Sequence, residues 1–268
     1  LIQENPKKYP FFLESSSRGN NQNSNSIIFY KPNIILKKDK NRINFLNKFN
    51  DLWKSNKVFQ KNTKYQEKDL PFRGGWFLYL GYEIAKEIEK SLNIPESPYS
   101  LPDAFAARVH SAIIYNHVDR NMILITDKED CFDDIDEMEA DLENMNSSLD
   151  SEKTKGSIKI HSKGSSDEHQ KQVKSCIDYI FQGEIFQANL SRLWRFKVDD
   201  GISDIDIYRK LRNTNPSPFA GFVKYENSSI ISSSPERLVS IRGSHIQTRP
   251  IAGTRPRGVS GLMDIELT

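Results

Sequence analysis

Cysteine is scarce in this sequence, and long apolar runs are missing. The two cysteines, Cys131 and Cys176, form no CxxC pair, and no histidine lies near either at metal-ligand spacing. The sequence therefore predicts neither a disulfide framework nor a zinc site, and a reducing, cytoplasmic setting fits. No apolar run approaches the roughly 20 residues that a membrane-spanning helix needs. The chain also begins without Met or a signal-peptide core, and we expect both ends to be cut from a longer protein.

A large charge of one sign is also lacking. The 268 residues carry 38 basic and 36 acidic side chains, which gives a net charge of +2. This balance calls for neither a nucleic acid nor an anionic membrane as partner, and such spread charge is typical of a solvated surface. With 37% hydrophobic residues, the composition is that of a soluble globular protein with one large or two small domains.

Apolar periodicity predicts an N-terminal α+β region that covers residues 1–145. The residues 45–53 and 127–145 have helical spacing. The residues 72–82 are apolar on both alternating faces, which predicts a strand buried on both sides. The other predicted strands are 26–30, 33–36, 107–115 and 121–126. A polar stretch rich in Ser, Lys and Gly, residues 146–164, predicts a linker.

The second region, residues 165–268, begins with a capping signal at Ser165 for a helix that ends at Gly183. Cys176 lies on the apolar face of this helix and is expected to be buried. Ser203 predicts the cap of a second helix over 203–212. The predicted strands are 186–190, 219–225, 229–233, 237–241 and 245–249. The last four of them predict an antiparallel meander.

Three features of the chain carry possible chemistry. Glu236 follows an apolar strand directly, and partial desolvation there would favour its protonated form and suit it to general-acid work. The residues alone also allow an exposed turn carboxylate that pairs with Arg237. The segment 249–257 holds three arginines, two prolines and a glycine, which suits a carboxylate or phosphate ligand or simply a rigid basic loop. Gly74-Gly75 would allow the backbone to approach a phosphate, but it is also typical of a β-bulge or of a close contact between backbones.

These residues and their neighbours resemble the chorismate-utilising enzymes, which include anthranilate synthase component I and aminodeoxychorismate synthase component I. Ser234-Pro-Glu-Arg237 with Pro250-Ile-Ala-Gly-Thr254 is similar to the signature of the family. Gly183–Leu190 is similar to the family's Gly-Asp-x-x-Gln-x-Asn-Leu. Asn215–Phe219 and Tyr9–Ser15 match two further segments.

The resemblance implies an α+β fold of large antiparallel sheets flanked by helices, with chorismate and Mg²⁺ between them. It implies a glutamine amidotransferase subunit that supplies ammonia, and it implies no nucleic acid and no membrane. Glu236 would be the catalytic acid that protonates the departing C4 hydroxyl. The substrate-binding residues would be Ile251, Ala252, Gly253 and Thr254. The family's metal ligands match nothing in these residues, so we expect this polypeptide alone to be inactive and to hold the first part of the chorismate-binding domain.

Within the family, the residues 70–83 and Leu101-Pro-Asp103 resemble aminodeoxychorismate synthase component I, which aminates C4 of chorismate for 4-aminobenzoate and folate synthesis. Ala252 points to the alternative, anthranilate synthase component I, because the usual aminodeoxychorismate synthase has a covalent lysine at that position. An alternative of another class is a non-catalytic fragment that only docks the glutaminase partner.

Four further residues match a tryptophan pocket that some relatives have. They are Glu14, Ser15, Pro218 and Phe219. The alternative for these positions is core packing at the end of an apolar strand.

Overall fold

The computed structural model describes residues 1–16, 25–38, 44–56, 70–127, 132–145 and 156–251. The strands are β1 (Phe11–Glu14), β2 (Asn25–Tyr30), β3 (Asn33–Lys38), β4 (Gly75–Leu80), β5 (Ala104–Val109), β6 (Ser111–Asn116), β7 (Asn121–Thr126), β8 (Ile158–Lys163), β9 (Trp194–Val198), β10 (Phe219–Tyr225), β11 (Ser228–Ser234), β12 (Arg237–Arg242) and β13 (His245–Arg249). The helices are α1 (Phe45–Ser55), α2 (Ala85–Ile88), α3 (Phe132–Glu143), α4 (Ser166–Gln182) and α5 (Asp204–Thr214), and a 3-10 turn covers Tyr82–Ile84.

Two antiparallel sheets organise the larger of two compact units, Leu1–Ser147 with Tyr208–Thr268. The six-stranded sheet has the order β11-β10-β1-β2-β6-β7, and the three-stranded sheet has the order β3-β5-β4. The β1 strand pairs with β10, so that Phe11 faces Val223 and Glu14 faces Ala220. Strands from the two ends of the sequence therefore share one sheet. This α+β architecture of large antiparallel sheets flanked by helices is the predicted one.

An aromatic core fills the space between these two sheets. The ring of Phe11 stacks on Phe77 with 4.3 Å between centroids, and Phe105 stacks on Tyr225 at 5.3 Å. Phe105, Ala107 and Val109 have no exposed surface. Burial of aromatic and aliphatic side chains is the main favourable contribution to the stability of such a core.

Helices cover the outer faces of both sheets. In α3, Met138 packs with Tyr9, Tyr30 and Ile113 of the six-stranded sheet. In α1, Phe45 and Phe49 pack with Trp76, Ala104 and Ala106 of the three-stranded sheet. Glu87 of α2 accepts hydrogen bonds from the backbone N–H groups of Phe45 and Leu46, both 2.9 Å, and so caps the N-terminus of α1.

A buried charge cluster lies where β5, β6 and β7 meet. Arg108 pairs with Asp127 and donates to the carbonyl of Gly75 at 2.6 Å, and His110 Nδ1 lies 2.6 Å from Asp127 Oδ1. Gly74 has φ +89°, and a Cβ there would collide with the Asp127 side chain. Gly74 therefore allows a close approach of the backbone to a carboxylate.

The second unit, Ser148–Ile207, contains the antiparallel pair of β8 and β9, with α4 between them in the chain. The predicted cap is present, because Ser165 Oγ accepts from the Glu168 N–H at 3.2 Å. Gly183 ends α4 with φ 77°, as predicted. However, no residue of α4 is buried, and Phe181 and Phe186 are almost fully exposed. Cys176 is half-buried, so the prediction of a buried thiol was wrong; Cys131 lies outside the described residues.

Four other predictions about local structure were wrong. The 107–115 strand is broken at His110, and its halves, β5 and β6, join different sheets. The residues 186–190 form no strand. Part of the predicted linker is β8. The β4 strand is not buried on both sides, since Trp76 packs under α1 while Leu78 and Leu80 on the same face are exposed.

The predicted meander is split in two. Its four strands form as β10 to β13, but β10 and β11 belong to the six-stranded sheet and β12 and β13 form a hairpin of their own. The hairpin contains a register shift between Arg237 and Ser240. Residues that flank the break, Pro235 and Glu236, therefore lie in the turn between two separate sheets.

Candidate functional site

The candidate acid Glu236 lies in the turn that joins β11 to β12. Its backbone N–H lies 3.4 Å from Ser234 Oγ, and the same hydroxyl donates to the carbonyl of Glu236 at 3.2 Å. The side chain of Glu236 is exposed, so the predicted partial desolvation is wrong for the described residues. Pro235 and Leu238 on either side are exposed as well, which means that no apolar layer covers this turn.

The hairpin register brings Glu236 next to the candidate substrate loop. Arg237 on β12 faces Arg249 on β13, so the residues that adjoin them, Glu236 and Pro250, lie at the same end of the hairpin. Ile251 follows Pro250 and is 63% exposed. Ala252, Gly253 and Thr254 lie outside the described residues. Glu236, the candidate acid, thus lies beside the start of the candidate substrate loop.

Positive charge gathers at this end of the hairpin. The guanidinium of Arg237 lies 5.2 Å from the centre of the Phe219 ring, and its Nη1 lies 3.5 Å from Gln247 Oε1. Arg249 is directly opposite Arg237 in the ladder. Two arginines at paired positions of one hairpin suit a ligand that carries carboxylates.

The segment before β10 is tied to both β1 and β11. Ser217 donates through its N–H to Ser16 Oγ at 2.8 Å, and Ser16 Oγ donates to the carbonyl of Ser217 at 3.0 Å. The Ser217 hydroxyl donates to the carbonyl of Ser234, at the end of β11. Ser217 is buried, and its polar groups are satisfied by these contacts.

The four residues that predict a tryptophan pocket come together at this junction. The carboxylate of Glu14 accepts from Tyr208 Oη at 2.7 Å and pairs with Arg212 at 2.5 Å. Burial, followed by the hydrogen bond to Glu14, raises the pKa of Tyr208. The Ser15 hydroxyl is buried and has no hydrogen-bond partner among the described residues. Pro218 and Phe219 are half-buried beside Ser217.

Comparison with known proteins decides the family. A family model for chorismate binding enzymes matches residues 9–267. The chain belongs to this family. It is 32% identical over 205 residues to the anthranilate synthase component I-like protein of Synechocystis sp., covering 76% of this chain and 41% of that protein. It is 30% identical over 277 residues to anthranilate synthase component 1 of Lactococcus lactis, covering 96% of this chain and 59% of that protein.

A solved structure shares the fold of this family member. Anthranilate synthase component I from Streptococcus pneumoniae superposes with a TM-score of 0.66 at 22% identity, over 86% of this chain and 54% of that one. The family model and the curated relatives thus show the family, and the solved structure shows that the fold is shared. The chain spans about half the length of the curated relatives, between 41% and 59% for the two above.

The magnesium site that the family implies finds no support in the part of the chain that the structure describes. No group of three or more His, Cys, Asp or Glu side chains there could hold a metal ion. No metal ligand is therefore assigned among the described residues of this family member. Among the described helices, none is both long and apolar enough to cross a membrane.

The sequence did not reveal the partners that hold the site residues. Tyr208 of α5 lies 194 positions after Glu14 in the sequence, and Arg212 belongs to the same helix. No motif in the sequence signals that these two residues contact Glu14. Ser16, Ser217 and Ser234 are small polar residues of a kind common on any surface. The one available signal was the run of serines at 232–234, which is unusual for a strand that enters a core sheet.

Proposed function

We propose that this chain provides the general acid and part of the substrate loop of an enzyme that aminates chorismate. The observation that supports it most is the hairpin register, which sets Glu236 beside Pro250 at the end that carries Arg237 and Arg249. Chorismate has two carboxylates and a C4 hydroxyl that must leave. Arginines can hold the former, and a carboxyl group can protonate the latter.

The chemistry assigned to Glu236 is a single proton transfer. Hydroxide is a poor leaving group, so the carboxyl proton passes to the C4 oxygen as the C–O bond breaks, and water departs. Ammonia adds to the ring in its place. The ammonia would come from a glutamine amidotransferase subunit, the partner that the family resemblance implies, in a cytoplasmic setting. A magnesium ion, when bound, would orient the ring carboxylate and stabilise developing charge.

The exposure of Glu236 sets a condition on this proposal. Proton transfer to a leaving oxygen is favoured where the acid and the leaving group are shielded from water. The described residues supply no cover for Glu236, so the 268-residue chain with magnesium and ammonia should turn over no chorismate. Measurable turnover by this chain alone would contradict that expectation.

The proposal is tested in a longer polypeptide that joins this chain to the remaining segment of an anthranilate synthase component I relative. Glu236→Gln keeps the size of the side chain and removes the proton, and should lower kcat by about 10²- to 10⁴-fold. Glu226→Gln is the matched control, because Glu226 also lies in a turn next to β11 and pairs only loosely with Lys37 at 3.8 Å. Equal activity of both variants would remove Glu236 from catalysis.

The position of amination is the finer part of the proposal. We propose C4 amination, the aminodeoxychorismate synthase reaction, because the residues 70–83 and Leu101-Pro-Asp103 resemble that branch. The second candidate is C2 amination with loss of pyruvate, the anthranilate synthase reaction. It is favoured by Ala252 and by the names of the curated relatives.

The product separates the two candidates directly. The longer polypeptide is supplied with chorismate, magnesium and ammonia, and the product is identified by chromatography and fluorescence. Anthranilate would overturn C4 amination, and aminodeoxychorismate would overturn the alternative. A protein that turns over nothing but retains the glutaminase in a pull-down would instead fit the non-catalytic docking fragment.

A regulatory pocket for tryptophan at Glu14, Ser15, Pro218 and Phe219 is a further proposal. It is favoured by the buried Ser15 hydroxyl, which lacks a partner among the described residues and so could accept one from a ligand. Calorimetry with tryptophan tests it, with phenylalanine as the matched ligand. Binding that Ser15→Ala weakens by about tenfold would support the pocket, and heat indistinguishable from dilution would reject it.

A further inference from the structure

Glu236 is anchored on both sides by the same short segment, residues 217–219. On the N-terminal side, Ser217 donates to the carbonyl of Ser234, and Ser234 exchanges two hydrogen bonds with the backbone of Glu236. On the C-terminal side, the guanidinium of Arg237 lies over the ring of Phe219. These contacts hold the backbone on both sides of Glu236 and so fix the point from which its side chain extends.

The anchoring segment is itself fixed to a core strand. Ser217 exchanges hydrogen bonds with Ser16, through the N–H and the carbonyl of Ser217 and the hydroxyl and N–H of Ser16. Ser16 lies two residues after the end of β1, which lies in the centre of the six-stranded sheet. The contacts therefore form a continuous path from β1 through Ser217 and Ser234 to Glu236.

Ser217 differs from Ser228, another serine near β11, in its burial and in the position of its hydrogen bond. It is 3% exposed, whereas Ser228 at the far end of β11 is half-buried. Ser228 also makes one side-chain hydrogen bond, to Ser100 at 3.0 Å, but that contact lies at the opposite end of the strand from Glu236. Removal of either hydroxyl is the same chemical change, beside the Glu236 end of β11 for Ser217 and at the far end of β11 for Ser228.

We infer that Ser217 is a positioning residue for Glu236, acting through Ser234. This inference rests on the proposed function of Glu236 as the acid. Loss of the Ser217 hydroxyl frees the carbonyl of Ser234 and loosens the turn. The carboxyl then samples positions from which it does not reach the leaving oxygen. Because Ser217 is buried and offers almost no surface to a substrate, the loss falls on kcat and leaves KM unchanged.

Two measurements test the inference at separate levels. The first is amide hydrogen exchange in the 268-residue chain, which needs no activity. Ser217→Ala should speed exchange at Glu236 and Arg237 by about tenfold, the equivalent of one hydrogen bond, and Ser228→Ala should leave it unchanged. Ser217→Thr keeps the hydroxyl and should restore slow exchange. Unchanged exchange in a folded Ser217→Ala protein would overturn the inference.

The second measurement is steady-state kinetics in the longer polypeptide. Ser217→Ala should lower kcat by about tenfold with KM within about twofold, since small displacements of an acid cost rate rather than affinity. Ser234→Ala, at a less buried position, should do the same, and the double variant should be no worse than either single one. A fall in kcat with additive effects would overturn the path through Ser234.

The two measurements distinguish a failure of the positioning role of Ser217 from a failure of the proposed function of Glu236. If the wild-type longer polypeptide leaves chorismate untouched, the proposed function fails, while the exchange result at Glu236 still decides whether Ser217 holds the turn. If chorismate is aminated and the serine variants match the wild type in kcat, the function stands and the positioning role is rejected.

Discussion

The layered sheets and the β12–β13 hairpin differ in what covers their apolar side chains. Between the sheets, Phe11, Phe77 and Phe105 are enclosed on all sides. On the hairpin, Leu238, Ile241 and Ile246 are exposed by more than 60%. Both regions formed the strands that their sequence patterns predict. Alternation of apolar residues therefore determines the strand in each, while burial depends on a second layer that lies elsewhere in the chain.

The second unit repeats this lesson within a helix. The α4 helix has the predicted cap, the predicted end and an apolar stripe, yet none of its side chains is buried. A cap and an αL glycine act through local backbone groups, so they form without tertiary partners. The layered sheets should therefore contribute more to the stability of the folded state than the hairpin or the second unit.

The largest effect is expected in the core between the sheets. Phe105→Ala removes a ring that has no exposed surface and should lower the free energy of unfolding by about 4 kcal/mol. Phe196→Ala on β9, where the ring is 51% exposed, should cost less than about 1 kcal/mol. Urea denaturation followed by circular dichroism measures both. Equal losses would show that the two regions are packed alike.

The next effect tests the buried charges that join β5 to β7. Asp127→Asn leaves Arg108 without its carboxylate, and the loss should be about 3 kcal/mol, because Arg108 keeps the carbonyls of Gly75 and Val109. Asp119→Asn is the control, since Asp119 lies in an exposed turn and accepts from Asn116. The same urea titration reads both variants. A neutral Asp127→Asn would show that the cluster adds nothing to stability.

Sequence reasoning recovered local elements and missed the junctions between them. The α1, α3, α4 and α5 helices and most strands follow from periodicity and capping. The break at His110 does not, because no glycine or proline between Ala107 and Tyr115 marks a turn, and the exchange of sheets takes place beside the Arg108–Asp127 pair, which is distant in sequence. The position of Glu236 beside Pro250 followed from motif order and hairpin pairing. Its exposure did not, since burial of a turn depends on residues distant in sequence.

A smaller effect is expected at Glu137 on α3, whose contribution to the stability of the folded state should depend on pH. Hydrogen bonds from Tyr30 and then Lys31 lower the pKa of Glu137 to about 2, from an ordinary value of 4.5. A carboxylate with a depressed pKa stabilises the folded state fully above its ordinary pKa, and this contribution is lost as pH falls from about 4.5 towards 2.

Glu137→Gln should remove this acid dependence. Because Glu137 is 43% exposed, solvent screening reduces its contribution to about 1–2 kcal/mol. Urea titrations at pH 6 and pH 3 should give a smaller difference for the variant than for the wild type. An equal pH difference in both proteins would assign the acid loss to other carboxylates, such as Asp141, whose pKa is also lowered, mainly by the hydrogen bond from Lys8.

The smallest effect is expected at the end of α4 in the second unit, where a substitution changes only the local backbone geometry. Gly183 has φ 77°, and a Cβ there would meet nothing within 4 Å. Gly183→Ala should therefore cost about 1 kcal/mol from the left-handed backbone alone, and Gly183→Asn about half as much. The readout is hydrogen exchange at Glu184, whose N–H donates to the carbonyl of Tyr179 at 3.0 Å. Gly74→Ala, where a Cβ meets Asp127, should cost distinctly more. Equal costs at the two glycines would mean that the layered region accommodates a side chain as easily as the exposed helix end, and the contrast between the regions would be lost.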